Sequence, residues 1–247
     1  MTFTDSNLPY DDFPVIVSNR SFKLGVSNNT STFSLKAEVT FPGLSERYCV
    51  CFVDIVNSTV QTAPLSGAKY REYIGSFLNK MAVIARNFGA KVIKTAGGSI
   101  IFYFPQTSNA LDSNAFKNVL ECGITMMAAH RHINARLSIH ELPPLSYRIS
   151  ADYGPVEVAK SSTLQNDDLF GSTMNLCSKI NSKAPPNGMV IGGNMYEMVR
   201  TLSAYAFHKV DEYPVGWSQN YMIYSVKSKE KRTILDPFTR GSETGLH

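Results

Sequence analysis

The chain has 247 residues, 43% of them hydrophobic, with 24 Lys and Arg against 20 Asp and Glu for a net charge of +4. That length and apolar content suffice for one full core with extensions, and no apolar run approaches the ~18 residues of a membrane span. The mild basic excess, partly gathered in Lys227, Lys229, Lys231 and Arg232, reads as a solvated tail and argues against a nucleic-acid surface.

Residues 1–12 carry Asp5, Asp11 and Asp12 and lack a basic-then-apolar leader pattern. Residues 33–41 alternate apolar and polar with period two, the mark of a half-buried strand. With Val15-Ile16-Val17 they predict an N-terminal β extension over residues 1–46 that either relays a signal or covers a sheet edge, edge cover being the favoured reading. Residues 48–56 form a continuous apolar run interrupted by Asp54, as in a central strand buried on both faces. Cys49 and Cys51 share one face of that strand. The four cysteines show no Cys-x-x-Cys spacing, which suggests reduced thiols and a cytoplasmic protein. None of the five histidines has a ligand-like spacing to a cysteine or carboxylate, so a structural zinc site is not expected.

Across residues 65–88, Tyr70, Phe77, Leu78, Met81, Ile84 and Phe88 recur at helical spacing and predict a core-facing stripe. Residues 91–104 read as strand, Gly97-Gly98 turn, strand. Residues 115–136 predict a second long helix, residues 147–159 two short strands around Gly154-Pro155, and residues 170–182 a third helix. Beyond Pro185-Pro186, residues 189–191, 204–210 and 221–226 predict closing strands, with a helix over 194–202. The Lys/Ser-rich residues 228–247 predict a disordered tail. Strands mixed with long helices in this order predict an α+β fold, helices packed on a largely antiparallel sheet.

Three segments carry chemistry. Asp168-Leu169-Phe170-Gly171-Ser172-Thr173-Met174-Asn175-Leu176-Cys177-Ser178-Lys179 puts a carboxylate before a Gly turn, then an amide and a cation on one helical face. Phe52-Val53-Asp54-Ile55-Val56-Asn57-Ser58-Thr59 ends a buried strand on a carboxylate. Lys94-Thr95-Ala96-Gly97-Gly98-Ser99-Ile100 is a hairpin with a cation at its base.

In this order the three segments resemble the catalytic domain of class III nucleotidyl cyclases, the adenylate and guanylate cyclase family. The resemblance spans residues 47–227 and implies a ferredoxin-like core. It implies a lyase that converts ATP to cyclic AMP and pyrophosphate, the ribose 3′-hydroxyl attacking the α-phosphate with Mg²⁺ or Mn²⁺ as cofactor. Asp54 and the backbone carbonyl of Ile55 then bind metal, and the turn through Ser58 and Thr59 addresses phosphate. Asn175 holds the ribose and orients the attack. Lys94 and Asp168 fall at the base-reading positions. A donor-only Lys and an acceptor-only Asp complement adenine and mismatch guanine, so ATP is the expected nucleotide.

Two positions depart from the family pattern. Gly98 stands where a second metal-binding Asp belongs, and an oxygen from Ser99 or Asp152 compensates only if it reaches. Lys179 stands where an Arg belongs, and it can stabilise charge at the α-phosphate without the planar fork of Arg. The resemblance also implies a dimer, of this chain with itself or with another cyclase chain, in which each site draws on both subunits. The alternative reading is a catalytically silent, nucleotide-binding partner or regulatory subunit on the same fold. The Gly97-Gly98 hairpin superficially resembles that of diguanylate cyclases too, but the Asp168 to Lys179 segment fits class III.

Overall fold

The computed structural model describes residues 39–161, 168–215 and 219–230. The strand expected at residues 15–17, most of the strand expected over 33–41, and all of the tail beyond residue 230 lie outside them. In chain order the elements are β1 (Val39–Thr40), β2 (Ser45–Ile55), α1 (Ser58–Thr62), α2 (Gly67–Asn87), β3 (Lys91–Ala96) and β4 (Ser99–Phe104). A 3₁₀ turn (Pro105–Ser108) leads to α3 (Ser113–Ile139), β5 (Tyr147–Ser161), β6 (Asp168–Phe170) and α4 (Ser172–Asn181). The chain closes with β7 (Gly188–Gly192), α5 (Gly193–Val199), β8 (Tyr205–Val215) and β9 (Gln219–Ser228).

All the described strands join one sheet in the order β3-β4-β2-β5-β7-β9-β8, with β1 and β6 added to the far end of β5. Among the described pairings β5–β7 is parallel and the others are antiparallel. This is the α+β arrangement expected from the sequence. Strand β2 explains its own apolar run. Cys49, Cys51, Val53 and Ile55 point into the main core with α2, α3 and α5, while Val50 points into a second cluster under α4 with Ile101, Met174 and Cys177. All four cysteines are free and buried, and burial pushes the Cys51, Cys122 and Cys177 thiols well up from their usual range.

Side-chain caps set where the long helices begin. Ser66 accepts from the Lys69 N–H at 3.4 Å at the start of α2. Asp112 accepts from the Asn114 and Ala115 N–H groups at 3.0 and 3.1 Å, starting α3 two residues before the expected boundary. The α2 stripe runs through Tyr73, Ile74, Phe77, Met81 and Ile84. Tyr70, counted in that stripe from the sequence, is 39% exposed, and burial along α2 begins at Tyr73.

Two sequence expectations are corrected. Residues 147–159 are not two short strands but part of one 15-residue strand, β5, that runs straight through Gly154-Pro155. Beside these residues the β7 ladder has ended at Ala151 and the β6 ladder begins only at Glu157. Helix α4 docks in that gap, its Thr173 hydroxyl donating to the Pro155 carbonyl at 2.7 Å. A Cβ at Gly154 would stand 2.5 Å from Thr173 Oγ1, so the glycine marks a close helix approach and not a break. Phe170 likewise belongs to β6, and α4 starts at Ser172.

Asp152 is part of the scaffold. It is 1% exposed. Its Oδ1 accepts from the Tyr221 hydroxyl at 2.7 Å and the Tyr153 N–H at 2.9 Å, while Tyr221 accepts from the Asn194 N–H at 2.9 Å. Met195 also donates its backbone N–H to this carboxylate, so Asp152 caps α5 from the neighbouring strand, and its Oδ2 is buried without a partner. Burial raises its pKa from 3.8 to about 6, against the lowering effect of those hydrogen bonds. The folded chain therefore binds the proton more tightly than the unfolded one. Stability falls as pH rises through the window from about 4 to about 6, by about 3 kcal/mol. Urea unfolding of wild type and Asp152→Asn from pH 4 to 7.5 should show the wild type losing that amount relative to the variant. Parallel profiles would refute the assignment.

Candidate active site

Asp54 is the last polar residue of β2 and is half-buried. Its ladder partners are Ser99 on β4 and Arg148 on β5, and directly paired residues share a face of the sheet. The Ser99 hydroxyl donates a short hydrogen bond to Asp54 Oδ1. Asp54 caps no helix, because Asn57, in the left-handed region at φ 54, precedes α1. Beyond Asp54 the Ile55 N–H donates to the Gly98 carbonyl at 3.1 Å, fastening the β3–β4 hairpin tip to the end of β2. Ser58 is half-buried and Thr59 exposed at the start of α1.

Within the hairpin tip Gly97 takes the left-handed conformation at φ +57, whereas Gly98 does not. What confines Gly98 is space: a Cβ there would meet Ser58 Cβ at 3.0 Å and Ile55 Cβ at 3.3 Å. Of the two oxygens that sequence offered in place of the missing Asp, Ser99 reaches Asp54. Asp152 does not, since it pairs with Val50, four residues back along β2. Arg148 was missed by the sequence reading. Its half-buried side chain stands across from Asp54, with Nε buried and unpartnered. Only the β2–β5 register reveals that neighbour.

A second cluster gathers Lys94 and Asp168. Lys94 Nζ lies 3.0 and 3.2 Å from the two Asp168 carboxylate oxygens, although 74 residues separate them in sequence. Asp168 Oδ1 also accepts the Leu169 N–H at 2.9 Å, and the Lys94 ammonium sits 5.9 Å from the Phe170 ring centre. Helix α4 is pinned at both ends. Thr173 holds the first turn to Pro155, and Asn181 Nδ2 donates to the Phe52 and Arg148 carbonyls at 3.1 and 3.3 Å in the last. Between these anchors Asn175 and Lys179 face outward one turn apart, with Lys179 Nζ 5.5 Å from the Tyr213 ring centre.

Lys94 pairs with Ile101, whereas Asp54 pairs with Ser99, so strand spacing and rise put the two clusters about 12 Å apart in one chain. Among the described residues no three His, Cys, Asp or Glu side chains converge as a metal cage. Mg²⁺ commonly takes one or two protein carboxylates and completes its shell with phosphate and water. The Asp54 carboxylate with the Ser99 hydroxyl fits one such ion and supplies no second carboxylate. No described helix is long and apolar enough to cross a membrane.

The sequence profile of the adenylate and guanylate cyclase catalytic domain matches residues 43–228. An adenylate cyclase of Streptomyces griseus is 28% identical over 144 residues, which make up 58% of this chain and 30% of that protein. The chain thus spans under a third of that relative. Among solved structures, the adenylyl cyclase CyaB of P. aeruginosa superposes with a TM-score of 0.69 at 20% identity, covering 76% of this chain and 97% of that one. The dimeric guanylyl cyclase domain of the RhoGC fusion protein from the fungus Blastocladiella emersonii gives 0.64 at 18% identity, over 75% and 98%. The profile match covers most of the chain and both clusters lie inside it, so the chain belongs to the family of adenylate and guanylate cyclase catalytic domains.

Proposed function

We propose that this chain is an ATP-using cyclase domain that forms cyclic AMP and pyrophosphate at sites completed by two chains. The observation that carries the reading is the Lys94–Asp168 pair at 3.0 Å. Lys94 donates to adenine N1 and Asp168 accepts from the N6 amino group, whereas guanine offers the reverse pattern to both. Asn175 holds the ribose so that its 3′-oxygen lines up on the α-phosphate. Lys179 balances the charge that develops there, and Arg148 with the Ser58–Thr59 turn holds the remaining phosphates. Asp54, the Ile55 carbonyl and the Ser99 hydroxyl would hold one Mg²⁺ or Mn²⁺, which supplies charge neutralisation at the phosphates when bound. The direct test incubates the purified chain with ATP or GTP under each metal and separates the products. Cyclic AMP should exceed cyclic GMP by about tenfold or more, the margin a site with mismatched polar groups imposes. Equal yields would sink the base-reading assignment.

The crowding at Gly98 favours a second reading. A chain without a second metal carboxylate can act as the nucleotide-binding half of a heterodimer, giving Lys94, Asp168, Asn175 and Lys179 to a partner that keeps both. The two readings separate on restoring the missing group. Backbone conformation permits Asp at position 98, but Ser58 stands in its way. The combination Gly98→Asp with Ser58→Gly should therefore raise Mg²⁺-dependent turnover about tenfold, and Gly98→Asp alone by less. A folded double variant with no gain would move the defect to Lys179.

A further inference from the structure

Phe41 precedes the matched cyclase region, which begins at residue 43, yet its ring packs on Phe170. The centroids are 5.5 Å apart and the planes meet at 70°, an edge-to-face contact. Phe170 follows Asp168 by two residues on β6, and the Lys94 ammonium rests against its ring. One aromatic side chain thus touches both the segment ahead of the cyclase region and the cation assigned to base reading. The segment is held on either side of the contact. Val39 and Thr40 pair with Ser161 and Lys160, and the Leu44 carbonyl accepts the Val158 N–H at 3.0 Å. Gly43, at φ +73, turns the chain between these ties. Phe41 is 47% exposed and Phe170 is 39% exposed, so neither ring is needed to fill the core.

Resting on the base-reading assignment above, we propose that Phe41 is a positioning residue that couples the segment before the cyclase domain to adenine recognition. A lysine has many rotamers to lose when it is fixed in place, and a ring against its ammonium narrows them. Phe41 fixes that ring. Lifting the segment away frees Phe170, loosens Lys94 from Asp168, and lowers affinity for the adenine base alone, because Arg148 and the Ser58–Thr59 turn lie in the other cluster and Lys179 projects from α4, which Thr173 and Asn181 fasten independently. Whatever rearranges the preceding residues therefore acts on which nucleotide is held and how firmly.

The test titrates fluorescent ATP and GTP analogues into the full chain in Mg²⁺ buffer. Phe41→Ala should weaken ATP binding about fivefold and leave GTP binding unchanged, the scale of one exposed aromatic contact with its cation. Phe41→Tyr should restore the wild-type ratio. In a Lys94→Ala background, Phe41→Ala should have no further effect on that ratio. Equal weakening of both nucleotides by Phe41→Ala, or an unchanged ratio where Lys94→Ala collapses it, overturns the inference and leaves base reading intact. A wild-type chain with no ATP preference, or one unmoved by Lys94→Ala, overturns the base-reading assignment and this inference together.

Discussion

Chains carrying Asp54→Ala and chains carrying Asn175→Ala should each be inactive alone and regain activity when mixed. Loss of the lone metal carboxylate, or of the group that aligns the 3′-oxygen, should lower turnover at least a hundredfold, about 3 kcal/mol or more of transition-state stabilisation. If each site draws Asp54 from one chain and Asn175 from the other, a hybrid dimer places both lesions in one site and leaves the second intact. Free exchange puts about half of all dimers in hybrid form, so the mixture should reach about a quarter of native activity in a symmetric dimer. Cyclic nucleotide formation across mixing ratios measures this. Should the native chain be silent alone, the same logic applies with an added cyclase chain that keeps both metal carboxylates. Asn175→Ala here should then abolish the hybrid's activity and Asp54→Ala should spare it. Equal loss from both, in a hybrid demonstrated to form, would refute the shared site.

The second large effect falls on the base. Lys94→Glu replaces a donor by an acceptor facing adenine N1 and places a second carboxylate beside Asp168, which lies 3.0 Å from the present ammonium. A charged hydrogen bond is lost and a repulsion gained, so ATP use should fall about a hundredfold while GTP use changes little. Pairing Lys94→Glu with Asp168→Ser removes the repulsion and presents an acceptor and a small hydroxyl, the pattern that suits guanine. The double variant should favour GTP. Competition between the two nucleotides, read by separating the cyclic products, decides it, and a double variant that still prefers ATP would show that other groups read the base.

The sequence made these residues visible for reasons that differ between the clusters. Asp54 stood out because a carboxylate closing an apolar strand is costly without a task, and Asn175 with Lys179 because helical spacing stacks them. The Lys94–Asp168 contact had no local signal, and only the family resemblance joined the two positions. Arg148 escaped because its significance is a matter of strand register, which pairs it with Asp54 across 94 residues of chain. The supposed break at Gly154-Pro155 was misread because Gly and Pro commonly punctuate strands, whereas here a helix lies close enough to require the missing side chain. The role of Ser99 depended on a hairpin register that composition could not supply.

The two departures from the family pattern differ in how far each is tied to its neighbours. Lys179 projects from a helix whose ends are fastened elsewhere, by Thr173 and Asn181, so a change there leaves those anchors in place and touches only the Tyr213 ring. It can be exchanged for Arg and back again at little cost in stability. Gly98 is buried, with Ser58 and Ile55 closed over the place its side chain would take. A side chain there needs Ser58 and Ile55 to give by a few tenths of an ångström, so a carboxylate at position 98 depends on its neighbours as a residue at 179 does not. Position 179 can change by itself; position 98 changes in step with Ser58.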